Sequence, residues 1–181
     1  MTPTILFVLK CFYLMLPAYF ANMVPVMVKK ISLFAFPIDF NKSFGSKPLF
    51  GKNKTFRGFI FGIVFAIVIG YLQYLLYKAE FFRNISFFDY QNWLLFGILI
   101  GFGSLFGDLV KSFFKRRLGI SPGERFIPFD QTDFVVGALL FIIPIFDLTL
   151  KIFITSLLLS FILHIMINHI AFYLKIRNEK W

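Results

Sequence analysis

Long apolar runs alternate with short polar segments along the chain, and the runs have membrane length. A helix crossing ~30 Å of hydrocarbon needs about 20 mainly apolar residues, and five runs approach that measure. The first, 5–28, is broken by Lys10, Pro17, Asn22 and Pro25, and lacks the basic start and cleavage site of a signal peptide. Runs 56–77 and 93–110 are uninterrupted, and 150–174 is long enough to cross. The fourth, 134–149, meets Pro144 and Asp147 early, which predicts a tilted, broken or re-entrant segment. The pattern predicts an all-α integral membrane protein of about five transmembrane helices, with residues 1–181 as a single embedded domain. The polar connections 29–55 and 111–133 are its long loops.

Composition agrees: 59% of the residues are hydrophobic and 15% charged, which excludes a soluble globule or a disordered chain. Cys11 stands alone, so there is no internal disulfide. The net charge of +10 is concentrated between the spans. Seven cations stand from Lys29 to Arg57 (Lys29, Lys30, Lys42, Lys47, Lys52, Lys54, Arg57), and five from Lys111 to Arg125 (Lys111, Lys115, Arg116, Arg117, Arg125). Lys175, Arg177 and Lys180 follow the last span, whereas Lys10, Lys78, Arg83 and Lys151 are scattered on the other side. The positive-inside rule places the N-terminus outside, and both long loops and the C-terminus in the cytoplasm. Cations segregated in this way mark topology or anionic ligands rather than a nucleic-acid stripe.

The third run continues into Gly107-Asp108-Leu109-Val110-Lys111-Ser112-Phe113-Phe114-Lys115-Arg116-Arg117 without a helix breaker. At helical spacing Ser104, Asp108, Ser112 and Lys115 fall on one stripe, with Lys111 beside it. The basic end alone reads as a topology signal, but a carboxylate at the membrane boundary is costly unless paired or metal-bound. A second acidic pair follows in Pro128-Phe129-Asp130-Gln131-Thr132-Asp133. A helix starting near Pro128 would put Asp130 and Asp133 one turn apart on one face. One Asp there would be an ordinary cap. Two, together with Asp108, form a hard oxygen set of the kind Mg²⁺ takes alongside substrate phosphates.

The first loop ends in Gly51-Lys52-Asn53-Lys54-Thr55-Phe56-Arg57-Gly58, which offers cations and glycines to phosphate oxygens. It is not a P-loop: the glycine interval is one residue too long, and Asn53 stands where Ser or Thr is required. Gly97/Gly101 and Gly103/Gly107 read as helix-packing pairs rather than a dinucleotide fingerprint. His164 and Asn168 in the last run, like Asn22 in the first, read either as hydrogen-bonding glue between helices or as polar support for a site.

Taken in order, the motif 51–58, Ser104 with Gly107-Asp108-Leu109, Ser112 with Lys115-Arg116-Arg117, Pro128 with Asp130-Gln131 and Asp133, and His164 with Asn168 resemble the CDP-archaeol synthase family. That family is similar to phosphatidate cytidylyltransferases. The resemblance implies transfer of a cytidylyl group from CTP to an isoprenoid glycerol ether phosphate, with release of pyrophosphate, at the cytoplasmic face of the cell membrane. Here Phe56 replaces a commoner Trp, and Thr132 stands where Leu is usual. Asp108, Asp130 and Asp133 would hold Mg²⁺. Asp108, Lys111, Lys115, Arg116, Asp130 and Asp133 would be catalytic. Gly51, Lys52, Asn53, Lys54, Thr55, Arg57, Ser104, Ser112, Arg117 and Gln131 would bind nucleotide and phosphate, with Asn22, His164 and Asn168 behind them. The expected partners are CTP, a lipid phosphate and the bilayer, with no nucleic acid and homodimerisation left open. Competing readings are a diacyl-lipid cytidylyltransferase, a CTP-dependent polyprenol kinase and a small transporter subunit whose polar path runs past Asp108, His164 and Asn168.

Overall fold

The computed structural model describes residues 2–121, 124–173 and 175. The expected Arg177 and Lys180 charges and the end of the last span at Leu174 lie outside them. Among the described residues six α-helices follow one another: α1 (Pro3–Met27), α2 (Phe56–Leu76), α3 (Glu80–Asn84), α4 (Trp93–Arg117), α5 (Phe129–Ile142) and α6 (Leu150–Tyr173). A small antiparallel hairpin, β1 (Ser43–Phe44) with β2 (Lys47–Pro48), lies in the first long connection.

Four helices, α1, α2, α4 and α6, are long and apolar enough to cross a membrane. The remaining run forms α5, whose 14 residues span ~21 Å at helical rise, short of the hydrocarbon thickness. It starts at Phe129 instead of 134, so Asp130 and Asp133 lie inside its first turns, and it gives way to a 3₁₀ turn at Ile143–Ile145 around Pro144. α4 runs on to Arg117, beyond the apolar run that ends at 110, as the unbroken helical pattern through 107–117 predicted. The expected loop 111–133 therefore shrinks to the segment joining α4 to α5. Pro17 and Pro25 both sit inside the continuous α1.

Helix packing rests on small residues and a few polar ties, as expected where lipid removes most of the hydrophobic drive. Gly97 and Gly101 of α4 lie against Ala66 and Ile67 of α2. Gly103 and Gly107 lie against Gly137 and the Asp133 carbonyl of α5, where a Cβ on Gly107 or Gly137 would collide with backbone. Both glycine pairs are thus engaged within the chain. Gln73 Nε2 donates to Tyr13 O at 2.6 Å, and Ser104 Oγ donates to Ala18 O at 3.2 Å, which tie α2 and α4 to α1. Leu14, Met15, Phe96, Ile100, Leu139 and Ile142 fill the centre, while Val64, Val68, Leu72 and Leu75 of α2 stay exposed, as lipid-facing residues should.

Candidate active site

The site grows from the unbroken helical period of α4. Asp108, Lys111 and Lys115 stand on successive turns, and the close α4–α5 approach at Gly107 and Gly137 brings Asp130 and Asp133 opposite them. Lys111 Nζ lies 3.0 Å from Asp108 Oδ1, 3.2 Å from Asp130 Oδ1 and 3.0 Å from Asp133 Oδ2. Lys115 Nζ contacts both Asp130 oxygens at 3.1 and 3.2 Å and also donates to Glu124 O. From the first connection, Lys54 pairs with Asp108. Burial works against ionisation of Asp130, but the Lys111 charge, the Phe126 N–H at 2.6 Å and Lys115 outweigh it and hold the carboxyl below its ordinary range. Asp133 Oδ2 is buried and, despite its nearness to Lys111, has no aligned hydrogen-bond donor. Among the described residues no three His, Cys, Asp or Glu side chains form a ready-made metal cage, because the carboxylates converge on Lys111.

Two cavities meet at this cluster. A polar cavity of about 110 Å³ is lined by Gly51, Asn53, Lys54, Lys111, Ser112, Lys115, Arg116 and Asp130. An apolar groove of about 690 Å³ between α4 and α5 is walled by Phe106, Val110, Phe114, Phe126, Phe129, Val136, Leu140 and Phe141, with Lys111 and Asp133 on its side. Lys111 therefore faces both. Arg116 is buried, and its Nε has no hydrogen-bond partner.

All six residues expected to be catalytic come together here, along with Gly51, Asn53, Lys54 and Ser112. The rest of the expected phosphate set lies outside the polar cavity's lining. Arg57 donates to Ile31 O, and Thr55 caps α2 by accepting from Gly58 N at 3.3 Å. Ser104 is tied to α1, and Ser112 Oγ donates back to Asp108 O at 2.8 Å. Lys52 is exposed outside the lining, and Gln131 is buried away from it. Arg117 stacks between Phe44 and Phe113 and donates to the carbonyls of Phe44, Lys47 and Pro48, while Lys47 Nζ donates to Arg117 O at 3.1 Å. These bonds fasten the hairpin to the end of α4. Asn22, His164 and Asn168 line a separate groove of about 430 Å³ between α1 and α6, with Tyr19 and Phe134.

Asp39, which the spacing of residues did not single out, organises the first connection. Its buried carboxylate accepts from Asn41 N at 3.0 Å, Phe50 N at 3.0 Å and Gly51 N at 3.1 Å. Burial opposes the charge, but these N–H groups prevail and depress its pKa. Gly51 has φ +100°, open only to glycine, and residues 36–38 pair with 54–56 through Ile38 N to Lys54 O at 2.8 Å and Phe56 N to Phe36 O at 3.1 Å. Lys54 is thereby aimed at Asp108. The Asp39-x-Asn41 turn was the one local signal.

Residues 4–181 match the family model for CDP-archaeol synthase. The chain is 35% identical to a CDP-archaeol synthase of Archaeoglobus fulgidus over 96% of its length and 98% of the relative's. It is 36% identical to one of Thermococcus onnurineus over 94% and 95%. A solved structure described as "Structural insight into an intramembrane enzyme for archaeal membrane lipids biosynthesis" superposes with a TM-score of 0.71 at 29% identity, covering 86% of this chain and 90% of that one. With those matches spanning nearly the whole chain, it belongs to the CDP-archaeol synthase family, CTP-dependent cytidylyltransferases that act on a lipid phosphate.

Proposed function

We propose that this chain couples CTP to 2,3-di-O-geranylgeranylglyceryl phosphate at the cytoplasmic face of the cell membrane, giving CDP-archaeol and pyrophosphate. The carrying observation is that Lys111 borders both a small polar cavity and a large apolar groove. A lipid whose chains lie between α4 and α5 would present its phosphate at Lys111, within reach of a triphosphate held in the polar cavity. A lipid phosphate oxygen attacks the α-phosphorus of CTP. The new P–O bond forms as the bond to the β-phosphate oxygen breaks, and pyrophosphate leaves with the electron pair. Both reactants carry their own phosphate oxygens, so the reaction needs no protein nucleophile. Positioning and charge neutralisation carry the catalysis.

Lys54, Lys111, Lys115 and Arg116 nearly cancel against Asp108, Asp130 and Asp133, so the fixed charges alone do not match a triphosphate. Asp108, Asp130 and Asp133 are hard oxygen donors of the kind Mg²⁺ takes, but Lys111 stands among them, so they would hold the ion only with that ammonium moved aside. Mg²⁺ held there would neutralise phosphate charge. Arg116, buried with its Nε unpaired, is the donor best placed to meet a phosphate oxygen without first leaving a carboxylate. The cytoplasmic orientation is supported by the concentration of cations in the connections that carry the site.

The test is transfer of radiolabelled CTP in liposomes containing Mg²⁺ and either the geranylgeranyl-ether glycerol phosphate or diacyl phosphatidic acid, scored as label in the lipid phase. Label on the ether lipid is expected, and preference for the diacyl lipid would overturn the substrate assignment. Asp108→Asn and Asp133→Asn should remain inserted yet lose turnover by at least about a hundredfold, the scale of removing an electrostatic contact at a transition state.

A further inference from the structure

The connection from the end of α1 to the start of α2 carries large apolar side chains that stay largely exposed among the described residues. Ile31, Leu33, Phe34, Phe36, Phe40 and Phe44 are exposed, Phe40 by 63% and Phe44 by 66%. Facing water, a run of this kind would be an unusually large apolar patch. The rings of Phe36, Phe40 and Phe56 gather at 4.9–6.0 Å, so the patch is an ordered surface. Exposed cations, Lys29, Lys30, Lys42 and Lys47, are interleaved with it. Both ends of the connection are fixed at helices long enough to cross the bilayer, and exposed Met23, Val26 and Met27 of α1 continue the apolar surface into Ile31 and Leu33.

We propose that this aromatic and lysine face rests in the headgroup layer of the bilayer that holds the helices, with the rings among the upper acyl carbons and the ammoniums on anionic lipid phosphates. Aromatic rings favour that depth, and lysines near the surface are drawn to anionic lipid. The same four cations would repel a second copy of the face, so lipid is the occupant that complements both its apolar and its charged parts. The opposite flank of the connection carries Lys54 and Gly51 on the polar cavity. Docking the face would therefore hold the phosphate-binding side chains at headgroup level.

The test uses full-length protein with Trp93 and Trp181 replaced by Phe and a single reporter introduced as Phe40→Trp or, separately, Phe44→Trp. It is reconstituted in phosphatidylcholine vesicles with and without phosphatidylglycerol. Blue-shifted emission is expected, quenched more by bromines near the headgroup than by deep ones, and more strongly when phosphatidylglycerol is present. That added quenching should vanish when Lys29, Lys30, Lys42 and Lys47 are all Gln. Red-shifted emission open to aqueous acrylamide and blind to bromolipid in both reporters would overturn the proposal. So would emission that tracks the protein-to-lipid ratio instead of bromine depth, because that result would put a second copy on the face.

Discussion

Asp39 illustrates how a residue remote from the reacting groups can set their geometry. It lines neither cavity and joins none of the carboxylate cluster, yet its oxygens fix Phe50 and Gly51, which do line the polar cavity, and hence the path to Lys54. Replacing it with Asn removes one acceptor oxygen, and steady-state kinetics should show the KM for CTP raised about tenfold with the KM for lipid little changed, the scale of one lost charged hydrogen bond. The depressed pKa makes a separate expectation. Asp39 contributes stability that is present above its unfolded value near pH ~3.9 and is lost as pH falls through the lower native value. Melting temperature measured below pH ~4 should therefore fall less steeply in Asp39→Asn than in the unaltered chain. Arg57 and Arg117 show the converse. A guanidinium binds a carbonyl as readily as a phosphate, and composition cannot say which acceptor the fold will bring to it.

At the scale of elements, the approach of α4 and α5 makes the site. With glycines on both sides, the helices come close enough for carboxylates of one to share an ammonium of the other. Gly107→Val or Gly137→Val should push α5 away, costing about 1–3 kcal/mol of stability and most of the turnover, read by thermal unfolding and the same transfer assay. The stripe from Ser104 to Lys115 was legible because nothing interrupts its helical period, and Asp130 with Asp133 because one turn separates them. Their meeting was not, since it depends on which glycine face finds which helix. The short α5 was foreshadowed by Pro144 and Asp147, and its start at Phe129 by Pro128, which the first turn of a helix tolerates. The Arg117 clamp depends on a hairpin distant in sequence, beyond any local pattern.

For the molecule as a whole, the arrangement divides recognition between a polar cavity and an apolar groove that adjoin at Lys111. Filling the groove with Val136→Trp should raise the KM for lipid about tenfold and leave that for CTP unchanged, whereas equal effects on both would mean that the groove is not where the chains lie. Family membership and the helical membrane architecture follow from one chain of 181 residues. The near-balance of fixed charge at the site also bears on the end of the cycle. A strongly electropositive cradle would seize its substrate and then grip the departing pyrophosphate. With Lys54, Lys111 and Lys115 already paired to carboxylates at rest, those pairs would compete with the departing anions for the same ammoniums and so favour product escape.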